Sequence, residues 1–407
     1  MKAVIFNLGC KVNQYESDAL AQELCQRGYE VSSELEYADI YVINTCAVTA
    51  EAERKSRQAI TRCLKHNPKA KVFVWGCAGE YHPEKFQKPQ VAYIWGAKDK
   101  SRIINIIDKE NNPLSDKPHE NSHSSFRTRA YVKVQDGCDN FCSYCIIPYL
   151  RGRSRSRDIE EIYREIQSLS QRNAEIVLTG INLTLYGKDK GASFADLIRR
   201  IKDIDVRIRL GSFHAEGLTE ELLDALFQLK QFCPHFHLSL QSGDNDVLRS
   251  MNRRYTAEEY MDKIKLIRSY DANAAITTDL IIGYPTETQK MFENTVEFVK
   301  KAKFADIHVF PYSAREGTAA AKLKLLPKDI VSGRVAVVLE LKKDLQKNYL
   351  NANIGITQKV LFEEESKGIK SGYSERYIRV YAKSDAQTAE VLPKEIYKDG
   401  LMGEVII

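Results

Sequence analysis

The stretch DGCDNFCSYC, residues 136–145, carries three cysteines in a C-x3-C-x2-C spacing: Cys138, Cys142 and Cys145. Structural zinc normally takes four protein ligands in a tetrahedron. Disulfide frameworks need an even count and an oxidising compartment. Three close thiols without a fourth describe instead a metal centre with one coordination position left open. Cys10 follows AVIFNLG, Cys46 follows DIYVINT and Cys77 follows KVFVWG, so each stands just beyond a predicted strand. The carboxyl ends of parallel strands share one sheet edge, where ligands bind in a crevice. These three cysteines, distant in sequence, are therefore expected to meet in space. A lone cysteine is more often an apolar core residue, and that reading suits Cys25 and Cys63 inside predicted helices and Cys233 before Pro234. The shared strand-end placement of the other three argues for a second three-thiolate site. Iron–sulfur clusters are held by cysteine thiolates.

The chain that positions these groups has 407 residues, more than one ordinary core accommodates. Hydrophobic residues make up 43% and charged residues 28%, a soluble globular balance. No run of apolar residues is long enough to span a membrane, and the first residues lack a signal-peptide pattern. A cytoplasmic protein with no membrane association is expected, in which nine cysteines favour metal or catalytic roles for some of them over structural disulfides. A net charge of +5 is too small to identify a nucleic-acid partner, so local patches decide. The expected fold class is α/β in three parts. Residues 1–110 alternate apolar runs with helical patterns, the mark of a parallel sheet in an α/β domain. Residues 111–127, rich in Pro, Asn, Ser and His, read as a linker. Residues 128–345 resume the alternation as a partial (βα)6 barrel whose site opens at the carboxyl ends of its strands. Residues 346–407 carry short strands separated by Gly and charge, which suits a small β-barrel.

The C-x3-C-x2-C motif, with an aromatic residue, Tyr144, before the last cysteine, resembles that of the radical S-adenosylmethionine (SAM) superfamily. The resemblance implies a 4Fe-4S cluster whose open iron chelates SAM, and cleavage of the S–C5′ bond by one electron to give a 5′-deoxyadenosyl radical. LGCKVNQYES, VINTCAVTAEAERKSRQAI, VWGCAGE, GCDNFCSYCIIPYLRGRSRSR, LTGIN, HLSLQSG, TDLIIGYPTET and FPYSAREGT extend the likeness over essentially the whole chain, to the methylthiotransferase family. That family implies an auxiliary 4Fe-4S cluster on Cys10, Cys46 and Cys77, and a tail resembling the RNA-binding TRAM barrel. It also implies an electron donor such as flavodoxin or ferredoxin. Replacing an unactivated C–H by C–SCH3 lies beyond acid–base catalysis at ordinary pKa values, and cofactors carry such steps. In the family picture one SAM methylates a cluster sulfur, a second supplies the radical, and the sulfur couples to the carbon. LGCKVNQYE and NTCAVTAEAE resemble the branch acting at C2 of N6-threonylcarbamoyladenosine beside the anticodon of tRNA. The isopentenyladenosine branch has GCQMN at the first site and the ribosomal-protein branch GCPKN. The alternatives are those two substrates, or a non-catalytic metal-bound RNA-binding protein.

Superfamily segments like those here line the SAM pocket, which assigns it Tyr144, Gly180 of LTGIN, Ser239 and Gln241 after the fourth barrel strand, and Gly283, with Pro285, of IIGYP. Arg254 of MNRRY is the expected partner of the SAM carboxylate, because an Arg fork matches a carboxylate. Taken singly, each is as well explained as a turn residue or a surface arginine. Neither a GxGxxG fingerprint nor a Walker A loop is present. LRGRSRSRD sets Arg151, Arg153, Arg155 and Arg157 at alternate positions, all on one side of an extended segment. Such a run is usually a solvated face, but its place beside the metal centre points to phosphate contact. The tail balances nine Lys/Arg against nine Asp/Glu over 347–407, and Tyr373 and Tyr377 are its expected base-stacking residues. A threonylcarbamoyl group carries a carboxylate and calls for an Arg or Lys, whereas an isopentenyl group calls for an apolar wall. Lys11 and Arg153 are the basic residues named for that role.

Overall fold

The computed structural model describes residues 1–97, 103–111 and 128–406. Of the expected linker, 112–127 lie outside the described residues. Among the described residues, no helix is long and apolar enough to cross a membrane.

Five parallel strands open the chain: β1 (Lys2–Asn7), β2 (Glu30–Ser32), β3 (Ile40–Thr45), β4 (Lys71–Gly76) and β5 (Val91–Trp95), in the order β2-β1-β3-β4-β5. Successive strand side chains point to opposite faces. Val4, Tyr41, Ile43, Val72 and Val74 therefore pack against Ala59, Ile60 and Cys63 of the helix Ala50–His66. Ile5, Ile40, Val42 and Phe73 pack on the other side against Leu20 and Leu24 of the helix Lys11–Gln26, and against Ile104. Helices on both faces of a parallel sheet explain its nearly continuous apolar strands.

The second unit contains β6 (Arg129–Asp136), β7 (Arg155–Ser156), β8 (Glu175–Gly180), β9 (Arg207–Leu210), β10 (Ser212–Phe213), β11 (His235–Leu238), β12 (Ala275–Ile282) and β13 (Asp306–Pro311). They form two four-stranded sheets, β7-β6-β8-β9 and β10-β11-β12-β13, and β9 leads into β10 through Gly211. Apart from the short antiparallel β7, the pairings are parallel, giving the expected incomplete barrel. Its outer side chains, among them Val132, Val134, Ile176, Leu178, Ile208, Phe236 and Leu238, pack with Ile162, Ile166 and Leu197 of surrounding helices. Side-chain caps hold several of those helices: Asp158, Ser193, Thr219, Thr256 and Thr288 each accept from a backbone N–H of the first turn. By the same alternation the inner face is mainly polar: Arg129, Lys133 and Gln135, Glu175 and Thr179, Arg207 and Arg209, His235 and His237, Thr277 and Asp279, and His308, with Tyr131, Val177 and Ile281 among them.

Two units close this interior. The helix Lys11–Gln26 packs against β6 and β8; Lys133 Nζ donates to Glu16 (3.1 Å) and Arg157 to the Tyr15 hydroxyl (3.2 Å). Farther along, Arg315 and Glu53, both buried, form an ion pair between the first unit and the segment after β13. The long helix Lys328–Ala352 leads to a closed barrel of β14 (Gln358–Ser366), β15 (Ile369–Ser374), β16 (Arg379–Ala382), β17 (Thr388–Tyr397) and β18 (Gly400–Val405). This tail seats itself on the amino ends of the large-barrel strands. Arg207 donates to Lys359 O (3.0 Å), and Arg209 to Ser374 O (2.9 Å) and Glu375 O (3.1 Å), while Arg129 pairs with Glu363 (3.1 Å).

Candidate active site

The C-x3-C-x2-C loop leaves β6 after Asp136 and turns at Gly137. The φ there is +73°, and a Cβ would lie 2.0 Å from the Arg153 carbonyl oxygen, so only glycine fits. The loop is pinned from several directions: Cys138 N–H donates to Gly152 O (3.1 Å), Ser143 N–H to Met251 O (3.0 Å), and Ala320 N–H to Ser143 O (2.8 Å). Cys138 and Cys142 are buried and Cys145 partly so. Burial pushes the Cys145 thiol up to about 12, and the neighbouring Cys142 and Cys138 sulfurs add to the shift. Arg253 Nη1 donates to Cys142 Sγ (3.5 Å) and its Nη2 to Ser239 O (2.7 Å). Asn182 Nδ2 points at Cys138 Sγ from 4.0 Å.

The second trio assembles by strand register. Asn7, Asn44 and Trp75 stand in one row across β1, β3 and β4, so Cys10, Cys46 and Cys77 follow along one edge. Burial pushes the Cys46 thiol up to about 12, and the Cys77 and Cys10 sulfurs add to it. Gly76 precedes Cys77 with a φ of +100°; a Cβ there would meet Asn44 Oδ1 at 2.6 Å. Cys10 Sγ donates to Asn13 Oδ1 (3.2 Å), and Asn13 Nδ2 to Asn44 Oδ1 (2.7 Å).

Arg151 stands beside Cys77 and is corrected from an RNA contact to a buried bridge between the first unit and the barrel. Its side chain is 1% exposed. It donates from Nε to Cys77 Sγ (3.4 Å), from Nη2 to Asn13 Oδ1 (3.2 Å), and from Nη1 to Glu16 (3.1 Å) and Asp136 (3.0 Å). The alternation fails because Arg151 ends a short helix, Ile147–Arg151, and Gly152 turns the chain. Extended backbone returns only at β7. Arg153 and Arg155 are exposed as expected, whereas Arg157 is tied to Glu161 and Glu165.

Other expected positions shift as well. Arg254 is exposed, beside Glu259 and Asp262 in a surface pocket, and it is Arg253 that reaches the cysteine loop. Ser239 and Gln241 lie buried after β11, with Ser239 Oγ donating to Asp279 (3.3 Å). Tyr144 packs against Met251, Tyr284 and Ala320, and burial raises its hydroxyl far above the usual range. The spaces beside Gly180 and Gly283 are taken by protein, Gln135 and Leu183 at one and Val331 at the other. Tyr373 and Tyr377 stack on each other (4.6 Å), and Tyr377 stacks on His235 (4.7 Å) beneath Arg209 (5.0 Å). They serve the docking of the tail, a correction to the free stacking faces expected. Sequence reasoning missed Asn13, Asn44, Glu16, Asn182 and Arg253. The polar Asn44 near the end of a fully buried strand was the available signal, together with the polar inner alternation of the barrel.

The barrel and the cysteine loop at its mouth are those of a radical SAM enzyme. Residues 132–299 match the Radical SAM superfamily, and residues 2–96 match the family described as Uncharacterized protein family UPF0004. In fold, the chain is similar to the radical S-adenosylmethionine methyltransferase TsrM from Kitasatospora setae, with a TM-score of 0.57 over 91% of this chain and 80% of that one, at 14% identity. Threonylcarbamoyladenosine tRNA methylthiotransferase MtaB of Aquifex aeolicus is 38% identical over 392 residues, 92% of this chain and 95% of the relative. The Bacillus subtilis protein of that name is 36% identical, over 98% of this chain and 95% of its own. A tRNA-2-methylthio-N(6)-dimethylallyladenosine synthase of Thermodesulfovibrio yellowstonii is 33% identical, over 99% and 98%. This chain belongs to the methylthiotransferase family of radical SAM enzymes. A 4Fe-4S cluster and SAM come with that family.

Each donor set is three thiols, the ligand chemistry of an iron–sulfur cluster. Three thiolates on one zinc ion, with Zn–S bonds of about 2.3 Å, would lie roughly 4 Å apart. Among the described residues, neither trio gathers its sulfurs within 4.8 Å of one another, yet within each trio the sulfurs influence one another electrostatically.

Proposed function

We propose that this chain adds a methylthio group to C2 of N6-threonylcarbamoyladenosine beside the anticodon of tRNA, in the cytoplasm. The observation that supports the reading is a buried guanidinium, Arg151, that ties Cys77 of one three-thiol set to Asp136, from which the loop carrying the other set leaves β6, at the mouth of a barrel with a mainly polar interior. The names of the Aquifex aeolicus and Bacillus subtilis relatives support the choice of base.

In this reading Cys138, Cys142 and Cys145 hold the cluster that takes SAM, and Cys10, Cys46 and Cys77 hold a second 4Fe-4S cluster. When bound, these groups supply the radical and the sulfur that an unactivated C–H bond demands. The chain itself binds, orients and encloses. Arg253, buried and fixed by Ser239 O and the Tyr255 hydroxyl, turns its Nη1 toward the cysteine loop, where it offers a charge-assisted contact to a carboxylate of SAM. Tyr144, Ser239 and Gln241 complete that side. Exposed Arg153 and Arg155 meet RNA phosphates. A flavodoxin or ferredoxin serves as electron donor. The dimethylallyladenosine name of other relatives makes that base the second reading.

Anaerobic reconstitution should load roughly eight irons, four per cluster. Alanine at Cys10, Cys46 and Cys77 should remove about half of them and leave SAM cleavage intact. The complete enzyme with SAM and reductant should convert threonylcarbamoyl-bearing anticodon stem-loops to the 2-methylthio form. Preference for isopentenyl-bearing stem-loops or for a ribosomal protein would overturn the substrate assignment.

A further inference from the structure

Beside Cys10, the barrel interior holds a cation that no hydrogen bond or ion pair engages among the described residues. Lys11 opens the helix Lys11–Gln26 immediately after Cys10, and this helix lies against the inner faces of β6 and β8. The side chain is partly buried, and among the described residues no hydrogen bond or ion pair engages its ammonium. Its surroundings are already positive. Arg129, Arg207 and Arg209 converge on the single buried carboxylate of Glu175, which leaves that carboxylate fully taken. Arg209 and Arg129 repel its ammonium, while Glu175 and Cys10 attract it without bonding to it. A partly desolvated charge without an ion-pair partner of its own is costly, and such a site favours an anion that brings its own charge.

We propose that Lys11 receives the carboxylate of the N6-threonylcarbamoyl group and is the residue that selects this substrate over an apolar one. The inference rests on the reading of the substrate given above. C2 and N6 lie on the same edge of an adenine ring. A base whose C2 faces the trio of Cys10, Cys46 and Cys77 therefore carries its N6 substituent past the residue next to Cys10. Arg153, the other basic residue considered for this role, is exposed, pairs with Asp139 (3.3 Å) and lies over the Phe141 ring (4.6 Å). A charge-assisted bond from Lys11 rewards the carboxylate. An isopentenyl group in the same place would leave the ammonium unpaired, which is how a polar site rejects an apolar analogue.

The test compares three anticodon stem-loops, bearing the threonylcarbamoyl acid, its methyl ester and an isopentenyl group, with the reconstituted full-length enzyme and its Lys11→Met and Lys11→Arg variants. The unaltered enzyme should lose about 10- to 100-fold in kcat/KM on going from acid to ester. Lys11→Met should lose a similar factor on the acid and little on the ester, and Lys11→Arg should recover part of the acid preference. Iron content serves as the check on folding. The acid–ester comparison in the unaltered enzyme is independent of any variant. Equal rates on acid and ester there, or equal losses on both in Lys11→Met, would overturn the role of Lys11 while leaving the substrate assignment in place. A preference of the unaltered enzyme for the isopentenyl stem-loop would instead overturn the substrate assignment itself.

Discussion

Replacing Arg151 by methionine keeps an unbranched apolar stem and removes only the guanidinium. That group is 1% exposed and faces Glu16, itself 3% exposed, together with Asp136. Removing one partner of a buried ion pair costs about 3–5 kcal/mol. Lys133 still reaches both Glu16 and Asp136 (3.1 Å each), so the lower end, about 3 kcal/mol, applies. That cost corresponds to roughly a 100- to 200-fold shift in a local opening equilibrium. Hydrogen exchange read by mass spectrometry measures it. Protection should fall by about that factor in the first turns of the helix Lys11–Gln26 and in the loop 137–152, with the tail barrel unchanged. Arg153→Ala, at an exposed position, should leave protection alone and instead weaken RNA binding and flatten its salt dependence. Unchanged exchange in both segments of Arg151→Met, with a loss of RNA affinity only, would refute the buried bridge and return Arg151 to the phosphate-binding role.

Arg253→Gln should weaken SAM binding to the reconstituted enzyme by about 10-fold or more, whereas Arg254→Gln should leave it unchanged; equal effects in a SAM titration followed by EPR would argue against the Arg253 assignment. Burial opposes ionisation of Glu175, yet Arg209, Arg207 and Arg129 hold its carboxyl down at about 2. Its contribution to stability is therefore complete above the ordinary carboxylate value of about 4 and is lost as pH falls from there toward 2. Glu175→Gln should lower stability by about 3–5 kcal/mol at neutral pH and flatten the acid limb of a denaturation series, and an acid limb identical to that of the unaltered protein would contradict this.

The strand-end cysteines were legible because each follows a six-residue apolar strand closed by Gly, Asn or Thr, and such strands lie parallel when helices separate them. Register then follows from burial on both faces, and convergence from register. The arginines were less legible for a definite reason. Reading Arg151, Arg153, Arg155 and Arg157 as one face assumed extended backbone, but the first of them closes a helix held by Pro148 and Gly152. In MNRRY, burial does alternate: Met251, Arg253 and Tyr255 are inside while Asn252 and Arg254 are outside. Counting from the apolar anchors Met251 and Tyr255 would have selected Arg253. Tyr373 and Tyr377, the latter still 40% exposed, carry no local sign of their stacking partners, because docking of one unit on another is decided by residues such as His235 and Arg209, more than a hundred positions away.

The polar interior explains why the tail sits where it does. Barrels of this kind usually fill their centre with branched apolar side chains. Here the inward positions of β6, β8 and β9 carry Arg129, Glu175, Arg207 and Arg209, and the apolar layer lies outside, against the helices. One glutamate cannot satisfy three guanidiniums, and buried donors without acceptors are costly. The tail supplies what is missing: the carbonyls of Lys359, Tyr373, Ser374 and Glu375, and the Glu363 carboxylate. The tail is thus the floor of the interior as well as the proposed RNA-binding unit. A chain ending near Asp344 should therefore lose compactness of the large barrel itself, visible as lost near-UV dichroism and increased aggregation in sedimentation. With the floor sealed by the tail and one side by the helix Lys11–Gln26, the interior stays open toward the cysteine loop and along the edge strand β13, where His308 and Phe310 are exposed. If the truncated protein kept its near-UV spectrum and cleaved SAM at the full rate, the arginine cluster would be self-sufficient and the tail a removable appendage.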